Sequence, residues 1–345
     1  FATLNSAAMR LARNGEIDVP DGGVGAVDDE GRPNGLLEEQ AQQLIRSLVH
    51  PRSVAEMSTN LGLASDRYLS EGITSCQEAG VGGILGTAEP VEVAAYQQAR
   101  RANRLRVRVT MMASVDALHS CEHHADDNEP FSLDLGMHTG FGDDWLRYGA
   151  TKIFADGSLM GCTAAMFEDF TGQPGNNGYF QMPESRLHEL ILAAHRSGWQ
   201  VATHAIGDRA VSSVLDGYEA ALQQHPRADH RHRIEHAGMT RAADVDRIAR
   251  LGVIPVPQAR FISEIGDGML RAIGSDRAGD CYRQRSFLDA GITLPGSSDR
   301  PVVNGAPLLG IHDLVNQRTA SGADFNPAEA LTIDEAIHAY TVGSA

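Results

Sequence analysis

Val201-Ala202-Thr203-His204 and Arg231-His232-Arg233-Ile234-Glu235-His236-Ala237 are two short β-rich runs, each carrying a histidine at its end and separated by one helical pattern. Within that helix, 208–222, the residues Val211, Val214, Leu215, Tyr218 and Leu222 recur at the three-to-four spacing of one buried face. Strand, amphipathic helix, strand is the signature of a βα unit in a parallel sheet. The alternation continues in both directions. Runs at 73–77, 105–114, 150–156, 252–256 and 292–297 read as further strands beside 199–204 and 231–237, and helical patterns fall at 36–48, 91–103, 185–196, 241–250 and 333–340. Gly198 and Gly291 follow helical runs where a left-handed C-cap is wanted.

The expected fold class is therefore α/β, a (β/α)8 barrel of TIM type with seven βα units legible over 71–345. The first 70 residues offer no convincing buried strand and read as an irregular and helical N-terminal insertion to a single barrel domain, 1–345. The eighth strand is expected before Phe1, so the chain reads as a truncated barrel with two unpaired edges. No Gly-x-Gly-x-x-Gly follows the early strands, which removes the phosphate loop that a dinucleotide fold needs. Two long stretches rich in Gly, Asp, Asn and Pro, 14–34 and 157–182, read as loops, and loops of that length are commonly functional lids.

Composition narrows the function. The chain has 345 residues with 42% hydrophobic and 21% charged, the profile of an ordinary globular protein. A formal charge of −16 repels phosphate backbones and anionic lipid, so no nucleic-acid partner is expected. No run approaches the roughly 18 apolar residues of a membrane span, and no signal pattern opens the chain. The cysteines Cys76, Cys121, Cys162 and Cys281 form no C-x-x-C pair, so a reducing, cytoplasmic location is expected. Among the 29 basic side chains the only lysine is Lys152. Arginine keeps its proton in a protein, whereas a buried lysine can become a neutral nucleophile.

Catalytic side chains of such barrels sit at the C-terminal ends of strands. Lys152 in the strand 150–156, His204 and His236 at strand ends, and Asp299 just after 292–297 would converge on one mouth. Two imidazoles and a carboxylate suit a divalent metal such as zinc. The alternatives are structural: Lys152 as a buried ion pair with Asp156, and Asp299 as an N-cap.

These residues carry a resemblance. Lys152-Ile153-Phe154-Ala155-Asp156-Gly157-Ser158, Thr203-His204-Ala205-Ile206-Gly207-Asp208-Arg209-Ala210, 231–237 and Gly296-Ser297-Ser298-Asp299 are similar, in order and spacing, to the metal-dependent amidohydrolase superfamily. Within it, the branch resembled is amidohydrolase family 3, which includes the N-substituted formamide deformylases. Weaker matches at 5–8, 72–75 and 340–345 extend the likeness over nearly the whole chain. The resemblance implies a hydrolase that cleaves a non-peptide carbon–nitrogen bond, in an amide or formamide, with metal-bound hydroxide. It implies one or two divalent ions, with zinc expected, and Lys152 carboxylated by CO2 as a carbamate between them. His204 and His236 would ligate one ion; Asp299 would ligate the other and act as the catalytic acid and base. An amide-like small molecule is the implied substrate, and a homodimer is an allowed assembly.

The likeness is incomplete. The family's first strand ends in His-x-His; His230-Arg231-His232 has that spacing but falls in the wrong place, so the first strand and the flanking β-sandwich domain are expected to lie outside this fragment. As it stands the fragment is expected to be inactive. Two other readings follow: a non-catalytic barrel remnant that binds without turnover, and an ester or lactone hydrolase on the same site. Asp208, Arg209 and Arg260 are candidate substrate contacts, with Asp208 read also as the N-cap of its helix, and Arg260 read either as a grip on a carboxylate or as a surface salt bridge. His230 and His232 read as structural, and Cys162 departs from the arginine common in related sequences. The cluster His119, Cys121, His123 and His124 reads as a solvated loop.

Overall fold

A computed structural model describes residues 2–11, 19, 21–45, 51–83, 91–126 and 130–345. They group into two compact units, Phe1–His124 with Glu129–Thr151, and Ala125–Asn128 with Lys152–Ala345.

The first unit begins with a small antiparallel sheet of β1 (Ala2–Thr3), β2 (Gly23–Val27) and β3 (Pro33–Glu39), in the order β1-β3-β2. This corrects the expectation of an irregular 14–34 and a helix over 36–48. Leu36 and Leu37 pair with Thr3 and Ala2, and Leu37 is fully buried with Leu4 and Ala41. The apolar spacing that suggests one helix is shared between a strand and the 3-10 turn Gln40–Ile45, because Glu39 takes a left-handed φ of 48° at their junction. Residues 12–18, 20 and 46–48 of those stretches lie outside the described residues.

The unit continues through the helix Val54–Ser70, whose first turn is capped by Ser53 Oγ accepting from Glu56 N at 3.1 Å. β4 (Ser75–Val81) then pairs in parallel with β5 (Arg108–Ser114) across the connecting helix Glu92–Arg101. β6 (His119–Ser120) and β7 (Phe131–Ser132) form a short antiparallel pair. The strand β8 (Leu146–Phe154) carries the boundary between the units, which falls between Thr151 and Lys152.

The second unit holds three parallel strands with their helices. β9 (Val201–Ala205), β10 (Arg233–His236) and β11 (Ile254–Val256) pair with β10 in the middle, Arg233 lying opposite both Ala202 and Ile254. All four residues of β10 are buried, as a parallel strand covered on both faces requires. Helices Asp208–Gln224, Ala242–Leu251 and Ala259–Ile273 follow the three strands in turn. Val211, Val214, Leu215 and Tyr218 are fully buried, so the face read from the sequence is the packed one.

Two expectations are corrected in this unit. Residues 292–297 form no strand; only Ser297 makes a parallel bridge, to Gln258. Pro295 has no N–H to give a ladder, and Gly296 N donates instead to Ala339 O at 2.8 Å. The stretch 157–182 is a packed loop and not a loose lid. Leu159, Ala164, Met166 and Phe170 are buried against Phe261, Ile262, Met269 and Ile273. Hydrogen bonds hold it along its length, including Thr171 N to Ala272 O and Gln181 N to Ala155 O, both at 2.8 Å. Among the described residues no helix is long and apolar enough to cross a membrane.

Candidate metal centre

His204 lies next to the last residue of β9 and His236 is the last of β10, with their ring centroids 4.5 Å apart in an edge-on arrangement. Strand pairing produces this meeting: Glu235 sits opposite His204, and β10 then turns out of the extended region at His236 (φ 71°) and Ala237 (φ 44°). Left-handed φ at two consecutive residues other than glycine is costly and is tolerated where the surroundings over-determine it.

Each ring engages one nitrogen inside the fold. His204 Nε2 lies 2.9 Å from Gly157 O and 3.4 Å from Asp156 Oδ1, so Nε2 carries the proton and Nδ1 keeps its lone pair. His236 Nδ1 lies 2.6 Å from Gln258 Oε1. Burial drives both imidazoles toward the neutral form, His204 well below the ordinary histidine range, and for His204 the nearby His236 adds to that shift. A carboxylate at the same corner is fixed by backbone: Asp156 accepts from Ala165 N at 2.9 Å, Ile206 N at 3.0 Å and Gly207 N at 2.8 Å.

Lys152 is 4% exposed, with its ammonium 4.7 Å from the centroid of the Phe154 ring. Burial pushes its pKa down, while the carboxylates of Glu235 and Asp299 push it up and the Arg233 guanidinium pushes it down. Glu235 is gripped by Arg233 in a buried two-pronged pair at 2.8 and 3.0 Å. Burial raises the Glu235 pKa, but Arg233 and Lys152 outweigh it and the carboxyl lies below its usual range. Sequence reasoning misses Glu235 and Arg233. The available signal is two charges at alternate positions of a parallel strand where apolar residues are the rule.

Asp299 is half-buried at a left-handed φ of 57° and acts electrostatically on both Lys152 and His236. The expected four thus share one electrostatic neighbourhood in the second unit. Among the described residues, no group of three or more His, Cys, Asp or Glu side chains is gathered so that it could hold a metal ion. The chemistry of the two-imidazole pair nevertheless fits a divalent cation, since both rings are held neutral and each has a nitrogen left for a ligand bond.

The other candidates are engaged within the fold. Asp208 Oδ1 accepts from Phe167 N at 3.0 Å, tying the 157–182 loop to the helix it opens, with Gly207 rather than Asp208 as N-cap. Arg209 bonds Glu184 at 2.6 Å and stacks over Phe180. Arg260 pairs with Asp313 at 2.6 Å and with Glu264, the salt-bridge reading of this residue, here largely buried, in place of a grip for substrate. Cys162 Sγ accepts from Gln173 Nε2 at 3.1 Å. His230 and His232 are buried in a histidine network just before β10 begins, at the opposite end of the strand from His236, and are structural as read from the sequence.

A family model described as the amidohydrolase family matches residues 2–345. The chain is 31% identical over 349 residues to YtcJ of Bacillus subtilis, named as an amidohydrolase, and 30% identical over 349 residues to the N-substituted formamide deformylase of Arthrobacter pascens. Each alignment covers 99% of this chain, but only 62% and 61% of those relatives, so the chain spans about three-fifths of their length. Among solved structures, a metal-dependent hydrolase from Pyrococcus furiosus superposes with a TM-score of 0.74 at 27% identity, over 99% of this chain and 64% of that one. One from Pyrococcus horikoshii gives 0.73 at 24% identity, over 92% and 60%, and supports the same TIM-like α/β fold. With strand-end histidines on a parallel α/β scaffold and a match running from residue 2 to residue 345, the chain belongs to the amidohydrolase family.

Proposed function

We propose that the protein is a metal-dependent hydrolase of a non-peptide carbon–nitrogen bond, acting on an amide-like or N-substituted formamide substrate. The observation that carries this reading is the meeting of two imidazoles, half-buried His204 and buried His236, with ring centroids 4.5 Å apart at the ends of neighbouring parallel strands. The Pyrococcus furiosus structure named as a metal-dependent hydrolase and the formamide deformylase point the same way.

His204 and His236 would hold a divalent cation, zinc being the metal that suits their nitrogens, with Asp299 and Lys152 as further donors. When bound, such an ion supplies Lewis acidity toward a carbonyl and lowers the pKa of water. The residues supply the rest. Burial, which lowers the Lys152 pKa, favours loss of its proton, and the amine so formed can add CO2 at Nζ, releasing a second proton and leaving an anionic carbamate oxygen as donor. Asp299 takes the proton of the attacking water on a carboxylate oxygen and returns it to the departing amine nitrogen. Glu235, ion-paired with Arg233, adds a negative charge that acts on Lys152, and Arg233 offsets part of it.

The test is metal content and hydrolysis of a panel of N-substituted formamides, amides, esters and lactones, by the full-length product that contains this chain and by its Lys152→Arg and Asp299→Asn variants. The reading expects bound zinc, formamide or amide turnover, and a rate lower by roughly a hundredfold or more in both variants. Unchanged metal and rate in Lys152→Arg removes the carbamate, and turnover confined to esters or lactones removes the carbon–nitrogen assignment.

A further inference from the structure

We propose that Gln258 is a positioning residue that fixes the tautomer and orientation of His236, so that Nε2 is the nitrogen this ring offers. Gln258 is 1% exposed, and its amide cannot be turned round. Its Nε2 donates to Val256 O at 2.6 Å, and a carbonyl oxygen only accepts, so that end of the amide must be the NH2 group. The oxygen end therefore faces His236 Nδ1, 2.6 Å away, and it too can only accept. The proton of the neutral ring is on Nδ1 and the lone pair is on Nε2. A reversed amide would set an oxygen against Val256 O and an NH2 group against the ring.

The glutamine is itself held from behind. Its Nε2 also reaches Ser297 Oγ at 3.4 Å, and residues 258 and 297 form a parallel bridge. Ser297 O accepts from Tyr340 Oη at 3.1 Å, so a polar strut runs from the helix Ile333–Tyr340 through Ser297 and Gln258 to His236. On its other side the His236 ring stacks on Phe261, with centroids 5.9 Å apart and planes 22° from parallel. The ring is thus restrained in angle by Phe261 and in protonation pattern by Gln258. An outer partner that orients a ligating histidine typically changes metal affinity about 10–100-fold when removed.

The value of this arrangement to a cation rests on the reading proposed above, whereas the hydrogen-bond relation does not. The experiment separates the two. Imidazole 15N spectra of the metal-free protein report the His236 tautomer, and competition with a chromophoric chelator reports zinc affinity, for the unaltered protein, Gln258→Met and Gln258→Glu. The unaltered protein is expected to show His236 with Nδ1 protonated and Nε2 bare. Gln258→Met, which keeps the volume and removes the acceptor, is expected to show mixed tautomers and zinc binding weaker by about 10–100-fold. Gln258→Glu keeps an acceptor at Nδ1 and is expected to hold the tautomer. An unaltered protein whose His236 carries its proton on Nε2 overturns the proposal without any variant. So does a folded Gln258→Met whose tautomer and zinc affinity are unchanged. A tautomer that responds to Gln258→Met while none of the three proteins binds zinc supports the positioning role and overturns the metal-site reading.

Discussion

His232 Nε2 lies 2.8 Å from His195 Nδ1, and the direction of that hydrogen bond is fixed by its neighbours. Val201 N donates to His232 Nδ1 at 3.0 Å, so His232 carries its proton on Nε2 and gives it to His195. His195 in turn donates from Nε2 to His225 O at 2.7 Å. Tyr218 stacks on His232 with centroids 5.0 Å apart. Both rings of this relay are neutral, and a second proton on either would set one N–H against another.

The relay predicts an acid-sensitive fold. Burial is the first cause that lowers the pKa of His195, His230 and His232, the last well below the ordinary range. With the folded pKa below the unfolded value of about 6.5, the unfolded chain binds more protons as pH falls. The stabilisation is full above about pH 6.5 and is lost below it, at up to about 1.4 kcal/mol per pH unit for the fully buried His232. Urea unfolding of the metal-free protein between about pH 8 and pH 5 is expected to show this slope, and His232→Gln is expected to be less stable at the alkaline end but flatter toward acid. Parallel slopes would place the acid sensitivity elsewhere.

Asp156→Asn is expected to destabilise strongly. The carboxylate accepts three backbone N–H groups, using both oxygens, and an amide NH2 at either position meets a donor. A lost charge-assisted bond plus a buried clash places the cost at about 3 kcal/mol. Denaturant midpoints measure it, and a change within about 0.5 kcal/mol would contradict the geometry.

Gly310→Ala inverts the usual helix rule. It lies within the helix Pro307–Asn316, where alanine should gain about 1 kcal/mol over glycine. A Cβ there would stand 1.9 Å from Tyr340 Oη, and one on Gly296 would stand 2.5 Å from the same ring. Overpacking against a rigid aromatic costs about 1–3 kcal/mol, so the net expectation is a lower melting temperature for both alanine variants. Thermal unfolding beside Tyr340→Phe, which keeps the ring and removes only the hydroxyl, distinguishes steric from polar loss.

Gln284→Met is expected to raise stability. The side chain is fully buried and neither its Oε1 nor its Nε2 has a hydrogen-bond partner among the described residues. An unsatisfied buried polar group costs about 1–3 kcal/mol, and methionine removes two such atoms at similar volume. A melting temperature that falls would mean that the amide has partners in solution.

The βα alternation around His204 and His236 is legible in the sequence because buried parallel strands and amphipathic helices leave different periods. The strand ends are legible for a related reason: a polar residue that closes an apolar run marks where the strand leaves the core. Leu36 and Leu37 mislead because a strand followed by a 3-10 turn can imitate a helical spacing, and the reversal at Glu39 leaves no residue signature. The segment 292–297 looks like a strand by composition, but the loss of a ladder donor at Pro295 and the diversion of Gly296 to Ala339 are contacts made across the fold. Glu235 is easily passed over beside His236 because strict alternation sends neighbours to opposite faces, and the left-handed turn at His236 is not written in residue type.

Asp156 joins the stretch 157–182, the Ile206-Gly207 turn and His204 through one carboxylate. Those three parts therefore cannot open independently: the amides of Ala165, Ile206 and Gly207 should exchange with deuterium at a common rate, as one cooperative patch. Breathing of the loop and disturbance of the imidazole would then be a single event.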